Sequence, residues 1–339
     1  MKKIVIPKPV SAGIILSYKC NSECLHCMYA CSPRWKQDWI SENDLKRNLT
    51  QLADTIAPSP MGKDRVGINY GLHFTGGEPF LNFDLLLKAI EIAKKLGIPS
   101  TFVETNAFWC TSEESTKEKL IKLREQGLNG ILVSVNPFIL EYIPFERTQR
   151  AIQVSKEIFA RNVMIYQEDF YNQFREINIR NTMSFKEYLQ KMGLKGLKFI
   201  ELIPMGRAVY SFYNLYERFP ARKFFGKSCL DNLQREWHIH IDNYNNYITG
   251  YCGGISLGDA RELNSICDGI DLEERPILES LATDIQKLYD LGVEKYGYQM
   301  LKEGYISKCH LCLDIRKHIV KQTDEFKELN PREFYFQLE

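Results

Sequence analysis

From residue 14 to about residue 202 the chain alternates short apolar runs with longer segments of helical period, and this alternation sets the class of fold. Ile14-Ile15-Leu16 reads as a short buried strand, and Ser41 as the cap of a helix carrying Leu45, Leu49, Leu52 and Ile56 at helical spacing. Tyr70 to Thr75 is a second strand, followed by a helix from Phe83 to Leu96 that stops at Gly97. Thr101 to Val103 is a third, and Ser112 caps a helix running to Gln126 and closed by Gly127. Gly130 to Val135 is a fourth strand, and a loop with Pro137 and Pro144 leads to a helix near Thr148 to Ala160. Val163 to Tyr166 is a fifth, then come a helix around Phe185 to Met192 and a sixth strand at Leu197 to Leu202. Strands joined through helices return to the same end of the sheet and so lie parallel. The expected fold is α/β, a partial (β/α)6 TIM-like barrel, with reactive groups on the loops at the strand C-terminal ends.

The alternation breaks after about residue 210. Trp237 to Ile241 and Tyr244 to Ile248 flank Asp242-Asn243 as a hairpin that lacks the usual turn glycine. A helix near Leu278 to Leu291, the pair Cys309-x2-Cys312 and a charged terminal segment follow. The expected organisation is a barrel over 1–225, a second domain with a β-hairpin and a helix over 226–325, and a tail over 326–339.

Lys plus Arg, 44, nearly balances Asp plus Glu, 43, so nothing global draws the chain to nucleic acid or an anionic membrane. Ile4-Val5-Ile6 is too short for a signal-peptide core, and no later apolar run reaches spanning length. A cytoplasmic location is expected, with nucleic acid and membrane unlikely as partners. In that compartment ten cysteines call for an explanation other than a disulfide framework.

Four of the ten lie between residues 20 and 31. Cys20-x3-Cys24-x2-Cys27 directly follows the first strand, where a compact loop can wrap three thiolates round one corner of an iron–sulfur cubane and leave the fourth iron open. A zinc knuckle completed by His26 or Cys31, or buried free thiols, would read the same way. Thr75-Gly76-Gly77-Glu78-Pro79 ends strand two, where glycines allow close backbone approach to a ligand and Glu78 can accept from an ammonium group. Glu104-Thr105-Asn106 follows strand three, Ser134 and Asn136 end strand four, and Pro204-Met205-Gly206-Arg207-Ala208 follows strand six. Cys229, Cys252, Cys309 and Cys312 form a second set able to hold tetrahedral zinc or a cubane.

Taken together, CxxxCxxC at 20–27 and GGEP at 76–79 resemble the radical S-adenosylmethionine (SAM) superfamily. The resemblance implies a 4Fe–4S cluster on Cys20, Cys24 and Cys27 whose open iron chelates SAM. Reductive cleavage then gives methionine and a 5′-deoxyadenosyl radical that abstracts hydrogen from substrate. It further implies SAM contacts from Gly76, Gly77, Glu78, Pro79, Asn106, Ser134, Asn136 and Arg207. His26 stands where the family has an aromatic residue, and Ala107 replaces the glycine of its TNG-type segment. The second cysteine set resembles the auxiliary-cluster domains called SPASM or twitch. That likeness implies one auxiliary 4Fe–4S cluster on Cys229, Cys252, Cys309 and Cys312.

Asn106 to Trp109, the Ser134 to Pro144 loop and the terminal CxxC are similar to radical SAM peptide epimerases. In those enzymes a thiol on the opposite face returns the hydrogen and can directly follow a cluster ligand. Here Gly253 and Gly254 follow Cys252, which leaves Cys267 and Cys110 as the candidate hydrogen donors. The resemblance thus implies a peptide or amino-acid-like substrate undergoing oxidation, crosslinking or epimerisation, with a flavodoxin or ferredoxin as reductant. A non-peptide small molecule as substrate, or a non-catalytic iron–sulfur electron carrier, are the alternatives.

Overall fold

The computed structural model describes residues 2–199 and 203–338. In chain order its strands are β1 (Lys3–Ile4), β2 (Ser11–Ile15), β3 (Gly71–Thr75), β4 (Phe102–Thr105), β5 (Gly130–Ser134), β6 (Val163–Tyr166), β7 (Ile239–Ile241), β8 (Tyr247–Ile248) and β9 (Ile270–Asp271). The main sheet has the order β6-β5-β4-β3-β2-β7-β8, and β1 pairs separately with β9. β2 through β6 form a parallel ladder, and β7 joins the other side of β2, also parallel. The result is an open, partial α/β barrel of parallel strands with β8 antiparallel on its edge.

The helices that cross between strands bury one stripe each. α1 (Glu42–Leu52), α2 (Phe83–Lys95) and α3 (Glu113–Gln126) are capped by the side chains of Ser41, Asn82 and Ser112. Leu45, Leu49, Leu86, Ile90, Leu120 and Leu123 lie against the sheet and are at most 1% exposed. α3 closes at Gly127, whose φ of +117° is the left-handed conformation that glycine adopts at no steric cost. α4 (Pro137–Leu140) is a single turn before α5 (Phe145–Phe159).

Four expectations change. Residues 194–199 form a 3-10 helix in place of the first half of the sixth strand, and residues 200–202 lie outside the described residues. The hairpin arm β7 instead extends the parallel sheet, with Gly13 of β2 in register with His73 on one side and His240 on the other. Its turn needs no glycine, because the Asp242 carboxylate accepts from the backbone N–H of Tyr244 and Asn246 while Asn245 takes φ +65°. The single helix expected near 278–291 is two, Pro276–Thr283 and Ile285–Tyr296, separated at Asp284, whose side chain caps the second.

Cys309-x2-Cys312 opens a 15-residue helix, Lys308–Gln322, capped by Ser307. The terminal segment, which reads as charged, is a buried strap: Leu329, Phe334, Tyr335 and Leu338 are each 1% exposed. Isolated apolar residues in a charged background show no period, so the strap leaves no pattern in the sequence. Among the described residues no helix is long and apolar enough to cross a membrane.

Candidate functional site

Cys20, Cys24 and Cys27 line a cleft at the C-terminal ends of the parallel strands, with about 1280 Å³ of empty space, its mouth included. The loop carrying them is short because it must turn back over the sheet; Cys27 N donates to Cys24 O at 3.1 Å, and Ser32 N returns to Tyr18 O at 3.3 Å. Burial pushes the Cys20 thiol up to about 12, and the Cys24 thiol is raised for the same reason. Cys27 moves the other way, first because Cys31 hydrogen-bonds to its sulfur, and Cys31 is raised by burial. Buried thiols that resist ionisation in a dry loop become thiolates once a cation supplies the compensating charge, so the donor set fits a metal cluster. Cys31 also lines the cleft.

The turn after β3 is seated on this loop. A Cβ on Gly77 would fall 1.9 Å from Lys19 O, and one on Gly76 2.3 Å from Ser17 O. The backbone N–H groups of Gly77 and Glu78 donate to Ser17 O and Lys19 O at 2.8 and 3.0 Å. The two glycines thus bring one strand end against the next, and both also line the cleft.

Glu78 is 1% exposed and does not line the cleft. Its Oε1 accepts from Thr105 Oγ1 at 2.9 Å and from Phe80 N at 3.2 Å, and its Oε2 from Asn106 N at 2.8 Å. These bonds tie the β3 and β4 ends together, and burial raises its carboxyl to about 7. Pro79 continues the turn as the first residue of a short 3-10 helix.

Asn106 lines the cleft and reaches the cysteine loop, its Nδ2 donating to Asn21 Oδ1 at 2.9 Å and lying 3.8 Å from Cys20 Sγ. Ala107 next to it has φ +67°, the conformation that glycine in a TNG-type segment would hold without strain. Ala107→Gly should therefore stabilise the fold by about 0.5–1 kcal/mol, the left-handed cost less the extra chain entropy of glycine. Thermal unfolding reads this as a midpoint raised by about 1 °C; an unchanged or lowered midpoint contradicts it.

Ser134 and Asn136 both line the cleft. Asn136 Oδ1 accepts from the N–H of Phe138 and Ile139, capping α4, so its amide nitrogen faces His26 Nε2 at 3.2 Å. An amide N–H donates, which leaves the His26 proton on Nδ1. The ring stacks on Phe138 at 4.8 Å, and burial lowers it to about 4, so this histidine is a neutral flat ring at neutral pH.

Arg207 packs against the cysteine loop. It is 4% exposed and does not line the cleft. Its guanidinium donates to the carbonyls of Cys24, Ala30 and Cys31 at 3.2, 2.8 and 2.9 Å, and to Gln337 O of the strap at 3.0 Å. The carboxylate of Glu23 lies 3.7 Å away. Gly206 before it has φ +57°, and a Cβ there would come within 2.4 Å of both Cys27 O and Met28 O. The Met205–Ala208 segment therefore braces the back of the cysteine loop.

Cys229, Cys252, Cys309 and Cys312 come together around a second cavity of about 510 Å³. Cys229 precedes a short helix, Cys252 follows the β7–β8 hairpin, and the CxxC pair comes from the first turn of its helix, where backbone N–H groups favour thiolate. Burial raises Cys229, and pushes Cys252 and Cys309 up to about 12. Arg316 is buried beside them and donates to Cys312 Sγ at 3.3 Å, to Gly253 O at 3.1 Å and to Tyr335 Oη of the strap at 2.6 Å. Four convergent thiols and one buried cation around a space of this size fit a cluster. Tyr251 lines both cavities.

A Cβ on Gly253 would lie 2.8 Å from the Phe334 ring and 3.1 Å from Met28 O, so a thiol-bearing residue at 253 would collide with the strap. Cys110 and Cys267 line neither cavity. Cys110 is fully buried, and burial pushes it up to about 12. Cys267 sits on the short helix Leu263–Asp268, half-buried and raised by burial. The sequence reading did not single out Tyr29, His238 or His240, which line the first cleft. Only the His238-x-His240 spacing on a strand could have pointed to the histidines.

Residues 14–166 match the family model described as the radical SAM superfamily. A protein of Bacillus subtilis (strain 168), "Putative peptide biosynthesis protein YydG", is 22% identical over 153 residues, covering 43% of this chain and 42% of that protein. The chain thus spans less than half the length of this curated relative. Among solved structures, BtrN in complex with AdoMet and 2-DOIA is 12% identical, over 81% of this chain and 88% of that one, with a TM-score of 0.43. Native anSMEcpe with bound AdoMet is also 12% identical, over 97% and 96% of the two chains, with a TM-score of 0.46. Residues 14–166, somewhat under half of the chain, are thus the part that is similar to the radical SAM superfamily.

Proposed function

We propose that this chain is a radical SAM enzyme acting on a peptide or amino-acid-like substrate, with Cys20, Cys24 and Cys27 holding a SAM-binding 4Fe–4S cluster. The observation that carries the reading is the convergence, in one cleft, of the three cysteines with Gly76-Gly77, Asn106, Ser134 and Asn136 from separate strand ends. Held by these three cysteines, a 4Fe–4S cluster would supply the electron for reductive cleavage of SAM. The chain's own residues then have separable tasks. Gly76 and Gly77 expose backbone to the cleft; Ser134 and Asn106 offer polar contacts; His26 offers a neutral ring. Glu78 and Arg207 act as positioning residues, the first holding Asn106 and the second the cysteine loop.

Cys229, Cys252, Cys309 and Cys312 would hold the auxiliary 4Fe–4S cluster. Four protein ligands leave no open iron, so its role is electron transfer and not substrate coordination. Net oxidation of substrate, by crosslinking or dehydrogenation, suits this arrangement better than epimerisation, because neither Cys110 nor Cys267 lines the cleft. The peptide class rests on the similarity to the B. subtilis peptide biosynthesis protein YydG. The reductant would be a flavodoxin or ferredoxin.

Anaerobically reconstituted protein is expected to hold about eight irons per chain, and to form 5′-deoxyadenosine from SAM under dithionite. About four irons would remove the auxiliary cluster, and no 5′-deoxyadenosine would remove the proposal.

A further inference from the structure

Three histidines meet inside the barrel at one side of the cleft, two of them lining it. His73 is the central residue of β3, His240 that of β7, and His238 just precedes β7. All three are at most 6% exposed, and one nitrogen from each lies within 4.8 Å of the others. Gly13, on the strand between them, makes the room: a Cβ there would fall 2.3 Å from His73 Nε2 and 2.6 Å from His240 Cδ2.

Their hydrogen bonds fix which nitrogens carry protons. His238 Nδ1 lies 2.9 Å from Ile68 O, and a carbonyl only accepts, so the proton is on Nδ1. Tyr29 Oη donates to Gly250 O at 3.1 Å, which leaves its oxygen to accept from His240 Nδ1 at 2.9 Å. Burial holds all three imidazoles neutral, below the ordinary histidine range. His238 and His240 therefore both present an Nε2 lone pair, each ring anchored through its other nitrogen. A proton on His73 Nε2, 3.3 Å from His240 Nε2, can answer only one of the two lone pairs. Glu104 adds a carboxylate oxygen 3.8 Å from His73 Nε2.

We propose that His73, His238 and His240 form a binding site for one divalent transition-metal cation of the zinc class. Ligands that donate their second nitrogen to a carbonyl or hydroxyl are the usual arrangement around such ions. Zinc–nitrogen bonds of about 2.0–2.1 Å in a tetrahedron set neighbouring nitrogens about 3.4 Å apart. The His73–His240 pair already has that spacing, at 3.3 Å. His238, His240 and Glu104 line the same cleft as the three cysteines. A cation there would stand in the substrate space, able to take a carboxylate or amide oxygen of the substrate. The site does not depend on the chemistry proposed for the cysteines.

The test is zinc loading of protein whose cysteines are already occupied by reconstituted clusters. Wild-type protein should retain one zinc per chain after desalting, with no loss of iron. Its zinc K-edge absorption should fit nitrogen and oxygen at about 2.0 Å, with no sulfur at about 2.3 Å. His240→Gln should lose the zinc, and Tyr29→Phe, which frees the His240 ring, should weaken it about 10–100-fold with iron unchanged. Sulfur in the zinc shell, no zinc retained by wild type, or full retention in His240→Gln would each overturn the proposal.

Discussion

Cys24→Ala should reduce 5′-deoxyadenosine formation to below about 0.1% of wild type, a barrier increase of about 4 kcal/mol. The reason is coordination number. Three thiolates are the minimum that holds a cubane while leaving one iron open, and no fourth protein ligand stands ready to replace a lost one except by closing that open position. Cys31 hydrogen-bonds to Cys27 and is the nearest substitute, but ligation by it would cap or displace the cluster. The fold should survive, because Cys24 is only half-buried and deleting one sulfur costs about 1 kcal/mol or less. Cys267→Ser, at a thiol lining neither cavity, should leave 5′-deoxyadenosine formation within about twofold of wild type. Turnover by Cys24→Ala near the wild-type rate would reject the cysteine triad as the cluster site.

What could be read from the sequence was local. The caps at Ser41 and Ser112, the stop at Gly127 and the strand cores of β3 and β6 each rest on a few neighbouring residues, and they fall where periodicity and capping put them. The cysteine loop is equally local. The parts that escaped are set by contacts between distant residues. β7 joins β2 across more than two hundred residues, and nothing in Ile239–Ile241 itself tells a barrel strand from a hairpin arm. His73 finds its partners only through that pairing. For Glu78 and Arg207 the resemblance implies contacts to SAM, and the local sequence carries no sign of their partners inside the protein. Beyond the neighbouring Phe80 N–H, the hydrogen-bond partners lie 27 to 28 residues away for Glu78 and 130 to 183 for Arg207, so none of these contacts is visible in the local sequence.

The two buried arginines share a logic that a substitution can expose. Arg207 ties the cysteine loop to Gln337, and Arg316 ties the second cysteine set to Tyr335, so both cysteine sets lean on the same terminal strap. Removing the Arg207 guanidinium strands the carbonyls of Cys31 and Gln337 in a buried setting, while Cys24 O keeps the Cys27 N–H and Ala30 O keeps Trp35 Nε1. Each stranded acceptor costs about 1–3 kcal/mol, less what water recovers. Arg207→Ala should therefore destabilise the protein by about 3–5 kcal/mol and release iron from the first site. Arg207→Lys should fail similarly, since one ammonium cannot span four carbonyls arranged for a planar fork. The measurement is iron per chain set against SAM affinity. A positioning role loses iron first, with weak SAM binding following from it. Full iron content with a raised SAM dissociation constant would instead make Arg207 a SAM-carboxylate contact, and the strap would then have no part in holding the cluster loop.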